Sequence, residues 1–351
     1  MNRITAAATL FFASLPLFAQ QSTPTYGEKV DVNIVLVDAV VTDAKGNQIL
    51  GLDKDDFVVT ENGQPQAIES IDYFTNRKLV NQREQNAAFK VERVREERYF
   101  VFFFDKPEAG ALFDRVHQAR DAAANFVDHE MRAEDRVAIV AHDVRLKVFS
   151  DFTNDKAQLH KALDEVMTFG LGRKTSDAGA APSILAAIDG KKMMSGSGTV
   201  YEALNVLADA LRPIKARKDL VLFSAGIVEP GEEVRDGIIL SRSRYYDPMI
   251  HALNASNVSV YALNLQKAGG DLPFIHQTLQ SIASDTNGEY FRQNVGFTGP
   301  VHRIEEANNG YYLLSYHTQK PAGTKGYQKV NVALKNHDFR LKAREGYVYG
   351  D

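Results

Sequence analysis

The chain contains no cysteine. No disulfide can staple it and no thiolate can bind a metal, so its stability must come from buried apolar area. It also lacks an excess of one charge: 41 basic and 45 acidic residues leave a net charge of −4, which is no electrostatic footprint for nucleic acid. Long apolar runs are scarce. The stretch from Ile4 to Ala19 follows Arg3 and ends before Gln20-Gln-Ser-Thr-Pro24, the pattern of a secretory signal peptide. It is short for a spanning helix and carries Pro16 near its end. The expectation is a signal peptide over 1–19, no membrane span after its removal, and a secreted or periplasmic mature chain.

What remains is long enough for one large unit and one small one, with 44% apolar and 25% charged residues, ordinary for globular protein. From Val30 the pattern Val30, Val32, Ile34, Leu36 alternates with Asp31 and Asn33. Asn62-Gly63, between Phe57-Val-Val-Thr60 and Ala67 to Phe74, predicts a hairpin turn with positive φ. Tyr311 to Tyr316, Val330 to Leu334 and Phe339 to Lys342 repeat the strand pattern near the other end. Neither piece is large enough to bury a secure core alone, so the two are expected to form one β-sandwich from 28–76 and 310–351. Between 77 and 97 basic and acidic residues nearly balance, which reads as a charged linker.

The middle, 98–309, alternates apolar strands with amphipathic helices. Tyr99-Phe-Val-Phe-Phe-Phe-Asp105, Leu220 to Phe223 and Val258 to Leu263 are strands apolar on both faces. Leu112, Val116, Ala119, Ala123 and Phe126 mark one face of a helix. Asp155 opens another, and Leu204, Leu207 and Leu211 a third. The prediction is an α/β fold: a Rossmann-like, doubly wound sheet inserted in the sandwich. In such sheets ligands sit beyond the carboxyl ends of the strands, where the Asp105 carboxylate is delivered.

Several phrases together resemble the von Willebrand factor type A-related proteins secreted by bacteria. They are Val41-Thr-Asp-Ala-Lys-Gly-Asn-Gln48, Gly51 to Phe57, Glu61-Asn-Gly-Gln-Pro-Gln66, Arg217 to Gly226, Val260 to Asn264, Ile282 to Gly288, Tyr311 to Tyr316 and Arg344-Glu-Gly-Tyr347. The resemblance implies a type A domain that binds protein ligands through a divalent cation held by an Asp-x-Ser-x-Ser loop, a Thr and a second Asp. Asp105 matches the first Asp and Thr199 the Thr. Pro107 and Ala109 stand in place of the two serines, and Ala225, between Ser224 and Gly226, replaces the second Asp. A hard cation such as Mg²⁺ wants a near-octahedral array of oxygens, so a set this thin would hold it weakly. No cofactor is therefore expected; Mg²⁺ or Mn²⁺ on Asp105 and Thr199 is the alternative. The ligand-binding face is assigned to Asp105, Lys106, Glu108, Thr199 and Ser224, with Lys106 pairing with Asp105 in the electrostatic role of a metal, or Glu108 supplying an oxygen.

Other motifs have plainer readings. Asp53-Lys-Asp-Asp56 begins like a calcium loop but has Val58 at the glycine position, so it reads as an acidic turn. His117 and His129 are too far apart to share a ligand, and Gly196-Ser-Gly198 lacks the lysine of a phosphate loop. No Ser-His-Asp, Cys-His or His-x-x-x-His grouping is visible, so no enzyme is expected. The function read from the sequence is an exported interaction or adhesion module binding an unknown protein or a cell-envelope polymer, with no nucleic-acid partner. The alternatives are a structural component of an extracellular assembly or a metal-dependent enzyme. The long connection from Phe169 to Ser197, with a short helix near Ala181 to Ile188, is singled out as a determinant of specificity.

Overall fold

The computed structural model describes residues 32–43, 48–75, 97–106, 112–180, 182–214, 216–227, 234–235, 238–239, 244–267, 273–292, 295–307, 310–319 and 326–349. The expected signal peptide, nearly all of the charged linker and Glu108 lie outside these residues.

Strands from both ends of the chain build the sandwich. One sheet holds β1 (Val32–Thr42), β4 (Ile68–Thr75), β13 (Gly310–Gln319) and β15 (Arg340–Ala343), in the order β15-β1-β13-β4. The other holds β2 (Phe57–Glu61), β3 (Gln64–Gln66), β14 (Gly326–Leu334) and β16 (Gly346–Tyr349), in the order β16-β14-β2-β3. β1 pairs with β13 and β15, and β2 with β14, so each half of the chain finds its ladder partner in the other. Alternation decides which side chains face inward. Val35, Val37, Ala39 and Val41 meet Phe57, Val59, Tyr312, Leu314, Tyr316 and Val332 in one core. At the β2–β3 turn Asn62 and Gly63 adopt φ of 48° and 81°, the positive values that the Asn-Gly pair predicts.

Phrases that carry the family resemblance meet inside this core. Glu61, 6% exposed, accepts from Tyr316 Oη (2.8 Å), Tyr347 Oη (2.9 Å) and Thr318 Oγ1 (3.1 Å). A buried carboxylate is tolerated because three hydroxyl donors satisfy it.

Between the halves lies the α/β unit. Its strands are β5 (Tyr99–Asp105), β6 (Arg136–His142), β7 (Leu146–Thr153), β8 (Lys218–Ser224), β11 (Val258–Asn264) and β12 (Tyr290–Phe291), ordered β12-β11-β8-β5-β6-β7. All pairs are parallel except β6 with β7, an antiparallel edge hairpin. A two-residue ladder, β9 (Val234–Arg235) with β10 (Ile238–Ile239), stands apart. The helices are α1 (Phe113–Asn125), α2 (Lys156–Val166), α3 (Ile184–Ala187), α4 (Gly190–Ser195), α5 (Val200–Leu211), α6 (Tyr246–Ala255), α7 (Pro273–Asp285) and α8 (Thr298–Ala307).

Every residue of β5, β8 and β11 is buried, as strands covered on both faces require. Val101 and Phe103 of β5 face α3, α5, α6 and α7; Phe100, Phe102 and Phe104 face α1, α2 and α8. The doubly wound sheet inserted in a sandwich is thus the fold observed. Among the described residues no helix is long and apolar enough to cross a membrane.

Candidate functional site

Parallel pairing sets the last residues of neighbouring strands side by side. Asp105 is in register with His142, and Ser224 with Asn264, while Phe104 pairs with Phe223 one step earlier. The carboxyl edge of the sheet therefore carries the polar row Asn264, Ser224, Asp105, His142. Ser224 Oγ donates to Asp105 Oδ2 at 2.6 Å and accepts from Gly226 N at 3.1 Å. His142 Nδ1 lies 3.7 Å from Asp105 Oδ1, and its Nε2 is 3.2 Å from Ser197 O, a contact that puts a proton on Nε2. Asp105 and His142 are each 7% exposed; Ser224 and Ser197 are fully buried. Ser197 Oγ in turn accepts from Leu146 N (2.9 Å) and donates to Met193 O (2.7 Å). His142 thus faces Asp105 on one side and contacts, through Nε2, the connection that precedes α5 on the other.

The sequence reading assigned Asp105 and Ser224 to this face, and the fold brings them into contact. It does not pair Lys106 with Asp105. The Lys106 backbone N–H bonds His142 O at 2.9 Å, and its ammonium stands 5.5 Å from the centroid of the Phe169 ring. The physical reason is chain direction: Asp105 closes a strand with its side chain held by β8, and the next side chain points outward. Thr199 is the N-cap of α5. Its Oγ1 accepts from Glu202 N (3.1 Å) and donates to Glu202 Oε2 (3.0 Å), while Thr199 N donates to the same Oε2 (3.1 Å). This capping box employs the hydroxyl within its own turn.

His142 is the residue that the sequence reading missed. Arg136 to His142 has the same length as Tyr99 to Asp105, and the parallel register sets their last residues together, a register that no local sequence signal fixes. The result brings Ser, Asp and His into one cluster, a grouping not visible along the chain. It is not arranged as a nucleophilic triad. The Ser224 proton goes to the carboxylate rather than to the imidazole, and Ser224 is sealed from solvent.

Mg²⁺ demands near-octahedral oxygen ligation at about 2.1 Å. Here Pro107, Ala109 and Ala225 offer no side-chain oxygen, the Thr199 hydroxyl caps a helix, and the Ser224 hydroxyl is a donor to Asp105. The Thr199 and Ser224 oxygens are thus engaged within the protein, and Glu108 lies outside the described residues. Among the described residues no group of three or more His, Asp or Glu side chains is placed to hold a metal ion.

Around the polar row the rim is apolar. Of the nine large apolar side chains exposed among the described residues, five stand at the carboxyl edge of the sheet: Phe113, Val144, Leu171, Met194 and Val295. Phe113 opens α1, and Val144 tips the β6–β7 hairpin. Leu171 neighbours Arg173, whose N–H bonds Val148 O at 2.7 Å. Met194 belongs to α4, and Val295 is tied to α1 by Arg115 Nη1 on its carbonyl at 3.4 Å. The connection from Phe169 to Ser197 is built from a 3₁₀ turn (Thr175–Asp177), α3 and α4. Asp151 of β7 holds it, accepting from Ser183 Oγ (2.6 Å), Ile184 N (2.8 Å) and Leu185 N (3.2 Å).

No protein-family model matches the chain, and no characterised protein matches it by sequence. Solved structures do resemble it. An aerotolerance-related membrane protein from Bacteroides fragilis is 15% identical, with 60% of this chain and 98% of that one covered and a TM-score of 0.39. BatB from Bacteroides thetaiotaomicron is 14% identical over 59% of this chain and 96% of that one, with a TM-score of 0.39. The vWF domain of the type V pili tip protein Mfa5 from Porphyromonas gingivalis is 12% identical over 61% and 95%, with a TM-score of 0.41. The likeness to each is one of fold.

Proposed function

We propose that this chain is an exported, non-enzymatic interaction module that captures a protein or a cell-envelope polymer through the carboxyl-edge face of its α/β sheet, without a bound cation. The observation that carries this reading is the crowding of exposed apolar side chains on that rim, five of nine among the described residues. Water penalises such exposure, and exposed apolar side chains set among polar groups along one end of a sheet suit an interface. The chemistry of the donors supports a cation-free face, with Asp105 engaged by Ser224 and faced by His142. Catalysis is disfavoured because the one hydroxyl on Asp105 has no base aligned to activate it and no access to substrate. Export rests on the apolar stretch from Ile4 to Ala19.

The test compares two variants of the full chain for capture of envelope components. One converts Phe113, Val144, Leu171, Met194 and Val295 to Ser; the other converts Ile34 and Leu36, exposed on the sandwich, to Ser. Loss of capture in the first alone supports the α/β face. Loss in the second alone transfers the function to the sandwich and favours a structural role in an assembly.

A further inference from the structure

One sector of the rim differs from the rest in its charge. Over the β6–β7 edge three segments meet: the hairpin tip, the stretch from Phe169 to Thr175, and α4 with the residues after it. Lys147 Nζ donates to Phe169 O (2.7 Å), Arg173 N to Val148 O (2.7 Å), and Ser197 joins Leu146 to Met193. Each segment raises one aliphatic side chain into solvent: Val144 is 75% exposed, Leu171 83% and Met194 60%.

The charges beside them are mostly positive. Arg145, Lys174, Lys191 and Lys192 enter no ion pair among the described residues. The acids of the same segments are engaged locally. Asp143 Oδ2 holds Lys147 Nζ (2.7 Å), Asp177 Oδ2 accepts from Lys174 N (2.9 Å), and Asp189 Oδ1 from Lys191 N (2.8 Å). In a chain of net charge −4, four unpaired cations around three exposed aliphatic groups are a local departure from the average surface.

We propose that this sector, over the β6–β7 edge beside Asp105, is the docking surface for an acidic polypeptide segment that also carries apolar side chains. The inference rests on the reading that the α/β face is the binding face. Aliphatic groups in the centre would be buried on contact, while the surrounding ammonium and guanidinium groups select carboxylates and steer the encounter. A membrane surface suits the sector less well. The chain has no Trp, none of the three protruding groups is aromatic, and α4 sends Met193 inward while only Met194 protrudes, so it is not a helix with a broad apolar face to lay on lipid.

The experiment uses the full chain and a fluorescein-labelled peptide in which Glu alternates with Leu, followed by anisotropy at low and high salt. The same peptide with Lys for Glu, and phosphatidylglycerol vesicles, are measured alongside. The Glu-Leu peptide should bind, weaken with salt, and lose ~10-fold or more in affinity on the double variant Lys191→Glu/Lys192→Glu and on Leu171→Ser/Met194→Ser. It should bind Val58→Ser, changed on the exposed face of the sandwich, as it binds the parent chain. Melting curves establish that each variant is folded; a variant that fails to fold is replaced by Arg145→Glu/Lys174→Glu. Equal affinity for the charge-reversed variants, equal binding of the Lys peptide, or vesicle binding without peptide binding overturns the proposal. Loss on Val295→Ser alone overturns this placement and leaves the α/β face as the binding face. Absence of binding by the Glu-Leu peptide overturns the acidic chemistry, and the rim-variant capture test still decides the broader reading.

Discussion

Asp38 and Arg217 stand 179 residues apart in sequence and form an ion pair between the sandwich and the α/β unit, Nη1 to Oδ2 at 3.5 Å. Asp38 projects from the outer face of β1, where a solvent-exposed carboxylate would be ordinary, yet it is 2% exposed. Arg344 joins it through Nη2 at 2.7 Å, and Arg217 continues to Asp219 (3.3 Å) and Tyr261 Oη (3.0 Å). With Lys342 on Glu289 (2.9 Å) and the His251 ring stacked on Tyr327 at 4.4 Å, this network fixes the sandwich against the amino ends of β8 and β11. The carboxyl-edge rim lies at the end of the sheet opposite this network.

Removing one member of a buried ion network leaves the others uncompensated. Asp38→Ala is expected to destabilise the chain by about 3–5 kcal/mol, because two guanidinium groups lose their shared carboxylate. Urea denaturation compared with Lys342→Ala, whose pair is exposed and worth about 0–1 kcal/mol, checks the contrast.

The same network gives a defined pH response. Burial pushes the Asp219 carboxyl up to about 6, more than its neighbour Arg217 offsets. Burial would also raise Asp38, but Arg344 and Arg217 outweigh it and hold that carboxyl below the usual range. Between the ordinary carboxylate value and about 6, the native state keeps a proton on Asp219 that the unfolded chain has released. Stability from this group thus falls as pH rises through that window, by about 3 kcal/mol. Asp38 acts oppositely: its contribution is present above the ordinary value and is lost as pH falls below it. Asp219→Asn should flatten the slope between about pH 4 and 6 in urea midpoints; an unchanged slope assigns the response to other groups.

Thr199 distinguishes a helix cap from a metal ligand. Thr199→Ala should cost about 1 kcal/mol through the lost capping box, and Thr199→Ser should recover most of it. Neither change should alter the response of the melting temperature to Mg²⁺, since the hydroxyl is engaged with Glu202.

A related measurement addresses the cation directly. A ligand at a hundred times its dissociation constant stabilises the native state by about 2.7 kcal/mol. Millimolar Mg²⁺, Mn²⁺ or Ca²⁺ against chelator is expected to leave the melting curve unmoved. A rise that disappears in Asp105→Ala would return the face to a metal-dependent one.

In the sandwich, Glu61→Gln should destabilise by about 1–3 kcal/mol. An amide offers one acceptor oxygen where Tyr316, Tyr347 and Thr318 now use two. Tyr316→Phe alone should cost about 1 kcal/mol, read from the same denaturation curves.

Periodicity was enough to read the doubly wound sheet, because a strand such as Tyr99 to Asp105 has no polar face to present and must be covered on both sides. The Asn62-Gly63 turn was legible for an equally local reason, its positive φ. Asp105 was legible as the end of such a strand. His142 was not: its nearness to Asp105 depends on the register between two strands, which neither strand's sequence sets by itself. The ligation of Asp38 by Arg217 and Arg344 had no local signal at all, since an Asp in an alternating strand normally faces water.

Apolar spacing, turn residues and the matched half-sandwich patterns at both ends were properties of the sequence alone, since each follows from short-range sterics or from the need to bury a face. The tertiary structure alone decided that Ser224 would occupy the Asp105 carboxylate, that Lys106 would turn to Phe169, and that Val144, Leu171 and Met194 would gather among unpaired lysines. These depend on strands and loops far apart in the chain arriving at one edge, where distance in space rather than order along the backbone sets which charges and hydroxyls meet.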